Sequence, residues 1–304
     1  MKKEQKIMEN DYRRTDLACE WGYEPDVAGV RCESWRWSCG RGERLRIETA
    51  EAGRRLGRPV GEYITLHCGK LWKMERTAEA ALEEELASQV VRLVEREMGR
   101  RVMHDVSVLV VGLGNRAITA DALGPTAVDR LLVTRHLREQ EPDIFRKMEC
   151  CAVSALAPGV LGQTGMEVAD VVAGAVRRAN TDVVIAIDAL AARDCDRLAA
   201  TVQLSDTGIS PGSGIGNDRG ALTRESLGLP VIALGIPTVV DSSTLVWDAL
   251  CRAGIHQVSG RLNEILENGR RFYVSPKEAD LINERTACLV ARALNRAFVG
   301  VSGV

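Results

Sequence analysis

The sequence predicts an α/β fold, in which a mostly parallel sheet carries helices on both faces and a β-rich elaboration precedes it. From Asp105 onward, short continuous apolar runs alternate with amphipathic segments of helical period, which is typical of parallel strands and their crossover helices. Before that point, residues 30–68 alternate apolar and polar side chains, as half-buried strands do. No linker rich in proline, glycine or serine separates the two regions, so a single domain is expected.

The N-terminal region predicts three strands and one long helix. The strand candidates are VRCESWRWSC, ERLRIETAE and GEYITLHCG within residues 30–68, where turn residues bound each alternating run. Residues 75–99 carry apolar side chains three and four positions apart, which indicates an amphipathic helix.

The region after Asp105 predicts strands and helices in alternation. The expected strands are VSVLVVGLG (106–114), CCAVSALAPG (150–159), DVVIAIDAL (182–190), ATVQLSD (200–206) and VIALGIP (231–237). One helix is expected to begin at residue 123. Three more are expected at 166–179, at about 241–252 and at 276–298, and the last of these has a proline at its start.

Composition excludes several classes of protein. The 40 basic and 42 acidic residues give a net charge of −2, and aromatic residues make up only 4%, so neither a strongly basic nucleic-acid binder nor a stacking platform is expected. The longest nearly apolar stretch, at 231–240, is far shorter than the roughly 20 residues that span a bilayer. Nine cysteines without CxxC spacing favour reduced thiols in a cytoplasmic compartment.

Two aspartates stand at positions of the sequence where a charged carboxylate is energetically unfavourable. Asp121 follows the first strand of the parallel region, and Asp188 ends the apolar run VVIAID. Ligands of such sheets bind beyond the carboxyl ends of the strands, and two neighbouring carboxyl groups can divide the roles of base and acid. Such a pair could activate water against a peptide carbonyl. The alternative is structural: a helix N-cap at Asp121 and a hydrogen-bond anchor at Asp188.

Other motifs give weaker indications. Gly112, Gly114 and Ala117 match the dinucleotide fingerprint GxGxxA, so a nucleotide- or small-ligand-binding protein stays open as an alternative. Asp206 stands in an Asp-Thr-Gly segment, but the pepsin-like fold that uses such turns does not fit an α/β pattern. The four histidines are scattered outside the strand-end loops, which leaves a serine or cysteine nucleophile without an obvious base.

Several long blocks together resemble the germination protease family of spore-forming Firmicutes. They are RTDLA (14–18), LVVGLGNRAITADALGP (109–125), SALAPGVLGQTGMEVADVV (154–172), DVVIAIDALAARDCDRL (182–198), VQLSDTGISPGSGIGNDR (202–219) and LGLPVIALGIPTVVD (227–241). The resemblance implies a three-layer α/β/α sandwich similar to that of hydrogenase-maturation endopeptidases. It also implies an aspartic-type endopeptidase, with Asp121 and Asp188 as its catalytic pair.

The biology that the resemblance implies is specific. The family's enzymes degrade small acid-soluble spore proteins during germination, are made as autoprocessed zymogens, and assemble as homotetramers. We therefore expect a spore-protein substrate, the cytoplasm of the forespore or spore core as the location, and no cofactor, nucleic-acid partner or membrane partner. A metal-assisted peptidase that uses the same carboxylates, and a relative that binds spore proteins without cleaving them, stay open as alternatives.

The N-terminus contains a candidate processing site. Thr15-Asp16-Leu17-Ala18 is similar to the sequence that the family cuts after an acidic residue. The expected cut lies between Asp16 and Leu17, and divides the chain into a propeptide arm, 1–16, and a single catalytic domain, 17–304.

The remaining site expectations concern supporting residues and two departures from the family pattern. Asn115 and Asp206 are expected to support the pair, and backbone N–H groups in two glycine-rich loops are expected to stabilise an oxyanion. The loop glycines are Gly162, Gly165, Gly212 and Gly214. Ser210 replaces a histidine of the family pattern, which favours a metal-free mechanism, and Asp218 replaces a basic residue.

Overall fold

One mixed sheet organises the chain. The computed structural model describes residues 15–21, 27–210, 220–255, 257–268 and 272–300. The strands of the sheet are β1 Val30–Trp37, β2 Gly40–Ile47, β3 Gly61–His67, β4 Ser107–Gly112, β5 Ala152–Leu156, β6 Val183–Ala192, β7 Thr201–Ser205, β8 Val231–Asp241 and β9 Tyr273–Val274.

The kind of strand pairing changes once along the sheet. The order is β1-β2-β3-β7-β8-β6-β4-β5, with β9 also pairing to β8. The β8-β6, β6-β4 and β4-β5 pairs are parallel, whereas β7-β8, β3-β7 and the pairs among β1, β2 and β3 are antiparallel. The α/β class and the β-rich N-terminal elaboration are confirmed. That elaboration extends the parallel strands into one larger mixed sheet.

Helices cover both faces of the sheet. They are α1 Ala50–Leu56, α2 Arg76–Met98, α3 Leu123–Val128, α4 Arg135–Gln140, α5 Pro142–Met148, α6 Leu161–Thr164, α7 Val168–Ala179, α8 Arg224–Leu227, α9 Ser242–Arg252, α10 Gly260–Asn268 and α11 Ala279–Val299. Within the described ranges, none of these helices combines the length and apolar character needed to cross a membrane.

The apolar core has a part on each side of the sheet, and β4 shows how one strand supplies both. Val108 and Val110 belong to the large cluster that includes α2, α3 and α11, whereas Leu109 and Val111 belong to a second cluster with α7. Successive side chains of a strand point to opposite faces, so a continuous apolar run contributes to both layers. This explains why VSVLVVG shows no alternation, and it gives the three-layer arrangement.

Candidate active site

Asp188 lies within β6, where it is only 8% exposed. Its Oδ1 accepts a hydrogen bond of 2.9 Å from the N–H of Ala189. Burial raises its pKa most, because a charged carboxylate loses its hydration, and the nearby charge of Asp121 raises it further. The pKa of Asp188 is therefore held well above its usual range despite the Ala189 N–H, which lowers it.

Asp121 closes a 3₁₀ turn, Thr119–Asp121, that follows β4. Its Oδ2 accepts a hydrogen bond of 2.8 Å from the N–H of Asn115. The hydroxyl of Thr238 in β8 donates to the carbonyl of Ala120 over 2.6 Å and ties the turn to the sheet. Burial raises the pKa of Asp121, while the Asn115 N–H lowers it. Both aspartates thus favour the protonated state more than an exposed carboxyl does.

The glycines of GLGN allow the chain to fold back and bring Asp121 to the sheet. Gly114 has a φ of +115°, and a Cβ on it would lie 2.0 Å from the carbonyl oxygen of Asp121. A Cβ on Gly112 would lie 2.2 Å from the carbonyl oxygen of Gly124 at the start of α3. Packing within the chain therefore accounts for the two glycines that the sequence shares with dinucleotide-binding proteins.

Both aspartates line a cavity of about 660 Å³. Its walls include Asp16, residues 188–191 of β6, residues of β8 between 233 and 239, and residues 207–210 after β7. Further lining side chains come from Trp21, Arg58, Tyr63, Leu190, Gln203, Thr223 and Tyr273. A cavity of this size, largely apolar with a few converging polar groups, is typical of a ligand site.

Two residues of the described N-terminal segment 15–21, Asp16 and Trp21, line this cavity. The N–H of Asp16 donates to the carbonyl of Ala191 over 2.9 Å, and the N–H of Ala191 donates to the Asp16 carboxylate over 2.8 Å. Leu17 is fully buried and packs with Leu190, Ala192 and Val240. Asp16, on the N-terminal side of the expected cleavage site, therefore lines the cavity that Asp121 and Asp188 also line, while Leu17 packs beside it.

An aromatic and cationic wall lies beside Asp16. The guanidinium of Arg58 lies 4.3 Å from the ring centroid of Trp21, and Trp21 meets Tyr63 edge-on at 4.8 Å. Burial raises the pKa of Asp16, whereas the Ala191 N–H and the charge of Arg58 lower it. Arg58 thus provides a positive charge on the side of the cavity where an acidic side chain lies.

Asn115 supports Asp121 through its backbone rather than through its side chain. Its Oδ1 accepts hydrogen bonds from the Ala117 N–H at 2.9 Å and from Nε2 of Gln163 at 2.7 Å. The short helix α6, which contains Gln163, therefore contacts the turn that precedes Asp121. Gly162 in α6 and Gly165 at its C-terminal end are not among the described residues that line the cavity.

The structure places Asp206 against β3. Its Oδ1 accepts a hydrogen bond of 2.7 Å from the N–H of Glu62, and its Oδ2 lies 3.7 Å from Arg96. Burial is the main cause that raises the pKa of Asp206, to about 6. Because β7 runs antiparallel to β8, the carboxyl end of β7 does not lie with the carboxyl ends of the parallel strands. Residues 207–210 nevertheless line the cavity, and Asp206 does not.

Three expected positions fall on segments without a described structure. Gly212, Gly214 and Asp218 lie outside the described residues. Ser210 is described and lines the cavity. Within the described ranges, no three histidine, cysteine, aspartate or glutamate side chains are grouped as metal ligands.

Sequence reasoning missed Gln203, the residue of β7 that contacts the N-terminal segment. Its Nε2 donates a hydrogen bond of 2.8 Å to the carbonyl oxygen of Asp16. Gln203 is the Cα partner of Gly235 in β8, and Gly235 is the partner of Asp188 in β6. The available signal was a glutamine in the middle of the short apolar strand ATVQLSD, where a buried amide requires hydrogen-bond partners.

Comparisons with known proteins agree over most of the chain. A family model described as germination protease matches residues 23–253. The germination protease of Caldanaerobacter subterraneus subsp. tengcongensis is 39% identical over 310 residues, which cover 94% of each chain. That of Clostridium perfringens is 38% identical over 274 residues, which cover 83% of this chain and 82% of the relative.

Two further similarities are partial. The germination protease of Priestia megaterium is 46% identical over 206 residues, 66% of this chain, and the match spans about half of that relative's length (54%). A solved structure of a [NiFe] hydrogenase maturation protease from Thermococcus kodakarensis KOD1 is 15% identical with a TM-score of 0.31, and the alignment covers 62% of this chain and 93% of that one.

Proposed function

The chain belongs to the germination protease family and is an endopeptidase; from this premise we propose that it cleaves small acid-soluble spore proteins with Asp121 and Asp188 as its catalytic pair. One observation carries the proposal. Two carboxyl groups with raised pKa values, the buried Asp188 and the half-buried Asp121, line a single cavity, and Asp16 of the candidate processing site lines the same cavity.

The two aspartates divide the chemistry according to their surroundings. Asp188 is more buried and its pKa is raised more, so Asp188 holds the proton and Asp121 is the carboxylate. Asp121 accepts a proton from water as the water oxygen bonds to the peptide carbonyl carbon. Asp188 then donates its proton to the leaving nitrogen as the C–N bond breaks. After the reaction Asp121 carries the proton and Asp188 is the carboxylate.

The same site processes its own N-terminus in this proposal. The cut between Asp16 and Leu17 releases the arm 1–16 and leaves 17–304 as the catalytic domain. Support comes from the hydrogen bonds that hold Asp16 at Ala191 and from the burial of Leu17. Because Asp16 lines the cavity and the segment around it is bound to Gln203 of the cavity wall, a substrate peptide that takes the same position has to displace this segment, so the uncut chain is a zymogen. A spore location and a homotetrameric assembly complete the proposal on the family resemblance.

The experiment compares the wild-type chain with Asp121→Asn and Asp188→Asn. Each variant should stay folded and lose cleavage of a small acid-soluble spore protein by at least about 10²-fold, because general acid–base groups contribute roughly 10²–10⁴-fold. Mass spectrometry identifies the cut sites. Asp129→Asn is the matched control, since Asp129 is exposed and pairs with Arg116 outside the cavity.

Two results would contradict the proposal. Near-normal turnover by either folded variant excludes the aspartate pair. Loss of activity with a chelator, restored by a divalent metal, favours the metal-assisted alternative that uses the same carboxylates.

A further inference from the structure

The Gln203 side chain brackets the peptide bond that we propose to be cut. Its Nε2 donates to the carbonyl oxygen of Asp16 over 2.8 Å, and its Oε1 accepts the N–H of Ala18. A carbonyl needs a donor and an N–H needs an acceptor, so these two partners fix the orientation of the amide. The Asp16–Leu17 bond lies between the two contacts.

The sheet places this amide on the same side as Asp188. Gln203, Gly235 and Asp188 form one row across three neighbouring strands, and residues paired in this way project to the same face. Two strand spacings separate Gln203 from Asp188, which is about 10 Å along the sheet. Gly235 between them has no side chain, and the side chain of Leu190 lies over it. Leu17 packs against Leu190 in the same cluster, so the peptide held by Gln203 continues towards the β6 side of the row.

Burial gives the Gln203 contact its strength. The residue is about nine-tenths buried, at 9% exposed. A hydrogen bond in such surroundings is electrostatically stronger than in water, and a fixed donor needs no reorganisation when charge develops on the carbonyl oxygen. The geometry is that of a donor held in advance at the oxygen of the bond to be cut.

We propose that Gln203 supplies the oxyanion-stabilising N–H for cleavage of the Asp16–Leu17 bond, and for substrate bonds that occupy the same position. As the water oxygen bonds to the Asp16 carbonyl carbon, an electron pair of the C=O bond moves onto oxygen, and Nε2–H stabilises the negative charge. When the intermediate collapses, that pair re-forms the C=O bond and the Leu17 nitrogen leaves with a proton from the aspartate pair. Gln203 gains and loses no proton.

This inference rests on the proposed function, and it replaces the expected glycine-loop donors at Gly162 and Gly165. The test uses the full chain and measures the first-order rate of cutting at Asp16–Leu17 by mass spectrometry. Gln203→Met keeps the length of the side chain but removes the donor. Gln203→Glu keeps its shape, and carries an O–H donor only when its carboxyl is protonated.

We expect Gln203→Met to slow cutting by about 10²–10³-fold, the usual effect of removing one oxyanion donor. Gln203→Glu should be as slow at high pH, and its rate relative to Gln203→Met should rise as the pH falls and the carboxyl takes up a proton. The matched control is Gln89 in α2, which is 8% exposed and bonds to Glu85 and Arg92. Gln89→Met and Gln89→Glu should cut at close to the wild-type rate at every pH.

The outcomes separate the two proposals. If the wild-type chain cuts at Asp16–Leu17 and Gln203→Met cuts within about threefold of it, the role of Gln203 is overturned while the proposed function stands. A ratio of Gln203→Glu to Gln203→Met that does not change with pH also overturns it, because the protonated carboxyl would then stabilise the oxyanion no better than a methionine side chain. A wild-type chain that does not cut there overturns the proposed processing, and the role of Gln203 with it.

Discussion

Gly235 lies directly opposite Asp188 in the neighbouring strand, and the side chain of Leu190 occupies the space where a Cβ on residue 235 would be. That Cβ would lie 2.5 Å from both Cγ and Cδ1 of Leu190. Leu190 in turn packs against Leu17. The absence of a side chain at position 235 therefore determines how the N-terminal segment is held over the sheet.

Gly235→Ala should lower the free energy of unfolding by about 1–3 kcal/mol, the usual cost of overpacking a core, and should slow cutting at Asp16–Leu17. Urea denaturation measures the first effect and mass spectrometry the second. Gly174→Ala in α7 is the control, because no atom lies within 4 Å of its Cβ position. That variant should gain roughly 0.5–1 kcal/mol from helix propensity. An unchanged stability for Gly235→Ala would show that Leu190 moves without cost.

Asp188→Asn should make the chain more stable than wild type at neutral pH. Burial raises the pKa of Asp188 in the folded state, so the folded chain binds more protons than the unfolded chain above the ordinary value of 3.8. Wild-type stability then falls as the pH rises from that value towards the folded pKa. Asp188→Asn does not lose stability in this way. The difference in stability between this variant and the wild type should therefore disappear as the pH approaches 3.8.

Thermal melting across this pH range measures the effect, and Asp129→Asn should show the opposite sign. Its hydrogen bond with Arg116 lowers the pKa of Asp129, so the wild-type carboxylate stabilises the fold above 3.8 and loses that contribution as the pH falls. The contribution of an exposed pair is at most about 1 kcal/mol. Parallel pH profiles for the two variants would contradict the assignment of Asp188.

Arg58 should favour an acidic residue on the N-terminal side of the cut bond. Its charge lowers the pKa of Asp16, so it stabilises the carboxylate there. Arg58→Gln should slow cutting of the wild-type sequence more than cutting of a chain that also carries Asp16→Asn. A double-mutant cycle on the cutting rates should give a coupling of roughly 0.5–3 kcal/mol. Additive effects would show that Arg58 does not sense the carboxylate.

Glu62 should be one of the most sensitive positions outside the cavity. Its carboxylate is fully buried and is paired with Arg44 at 3.0 Å, Arg46 at 2.9 Å, and also Arg92 and Arg96. Burial raises its pKa, but the hydrogen bonds and charges of these arginines outweigh that effect and lower it.

Glu62→Gln should lower the free energy of unfolding by about 3–5 kcal/mol, because one partner of a buried ionic cluster is lost. Urea denaturation measures this. Glu33→Gln is the control, since Glu33 is exposed and pairs with Arg44 at 2.7 Å, and such pairs contribute about 0–1 kcal/mol. Equal losses for both variants would contradict a special role of the buried cluster, which also positions Asp206 through the Glu62 N–H.

The pattern of apolar residues in the sequence correctly predicted the strands that are buried along their whole length and the helix with a clear period. The apolar runs that became β4, β6 and β8 were recognised because both of their faces are covered, and α2 was recognised by its period. The direction of β7 was not predictable in the same way. Its alternation of side chains is the same in a parallel and an antiparallel pair, so ATVQLSD carries no information about which neighbour it joins.

The sequence by itself determined the α/β class, the resemblance to germination proteases, and the candidacy of Asp121 and Asp188, because a charged carboxylate next to an apolar run is energetically unfavourable and therefore conspicuous. Only the tertiary structure brought Gln203 to the carbonyl of Asp16, 187 residues away along the chain, and turned Asp206 towards Glu62. Local periodicity reports how deeply a side chain is buried. Which buried groups contact one another depends on the order and direction of the strands, and long-range packing of the whole sheet determines both.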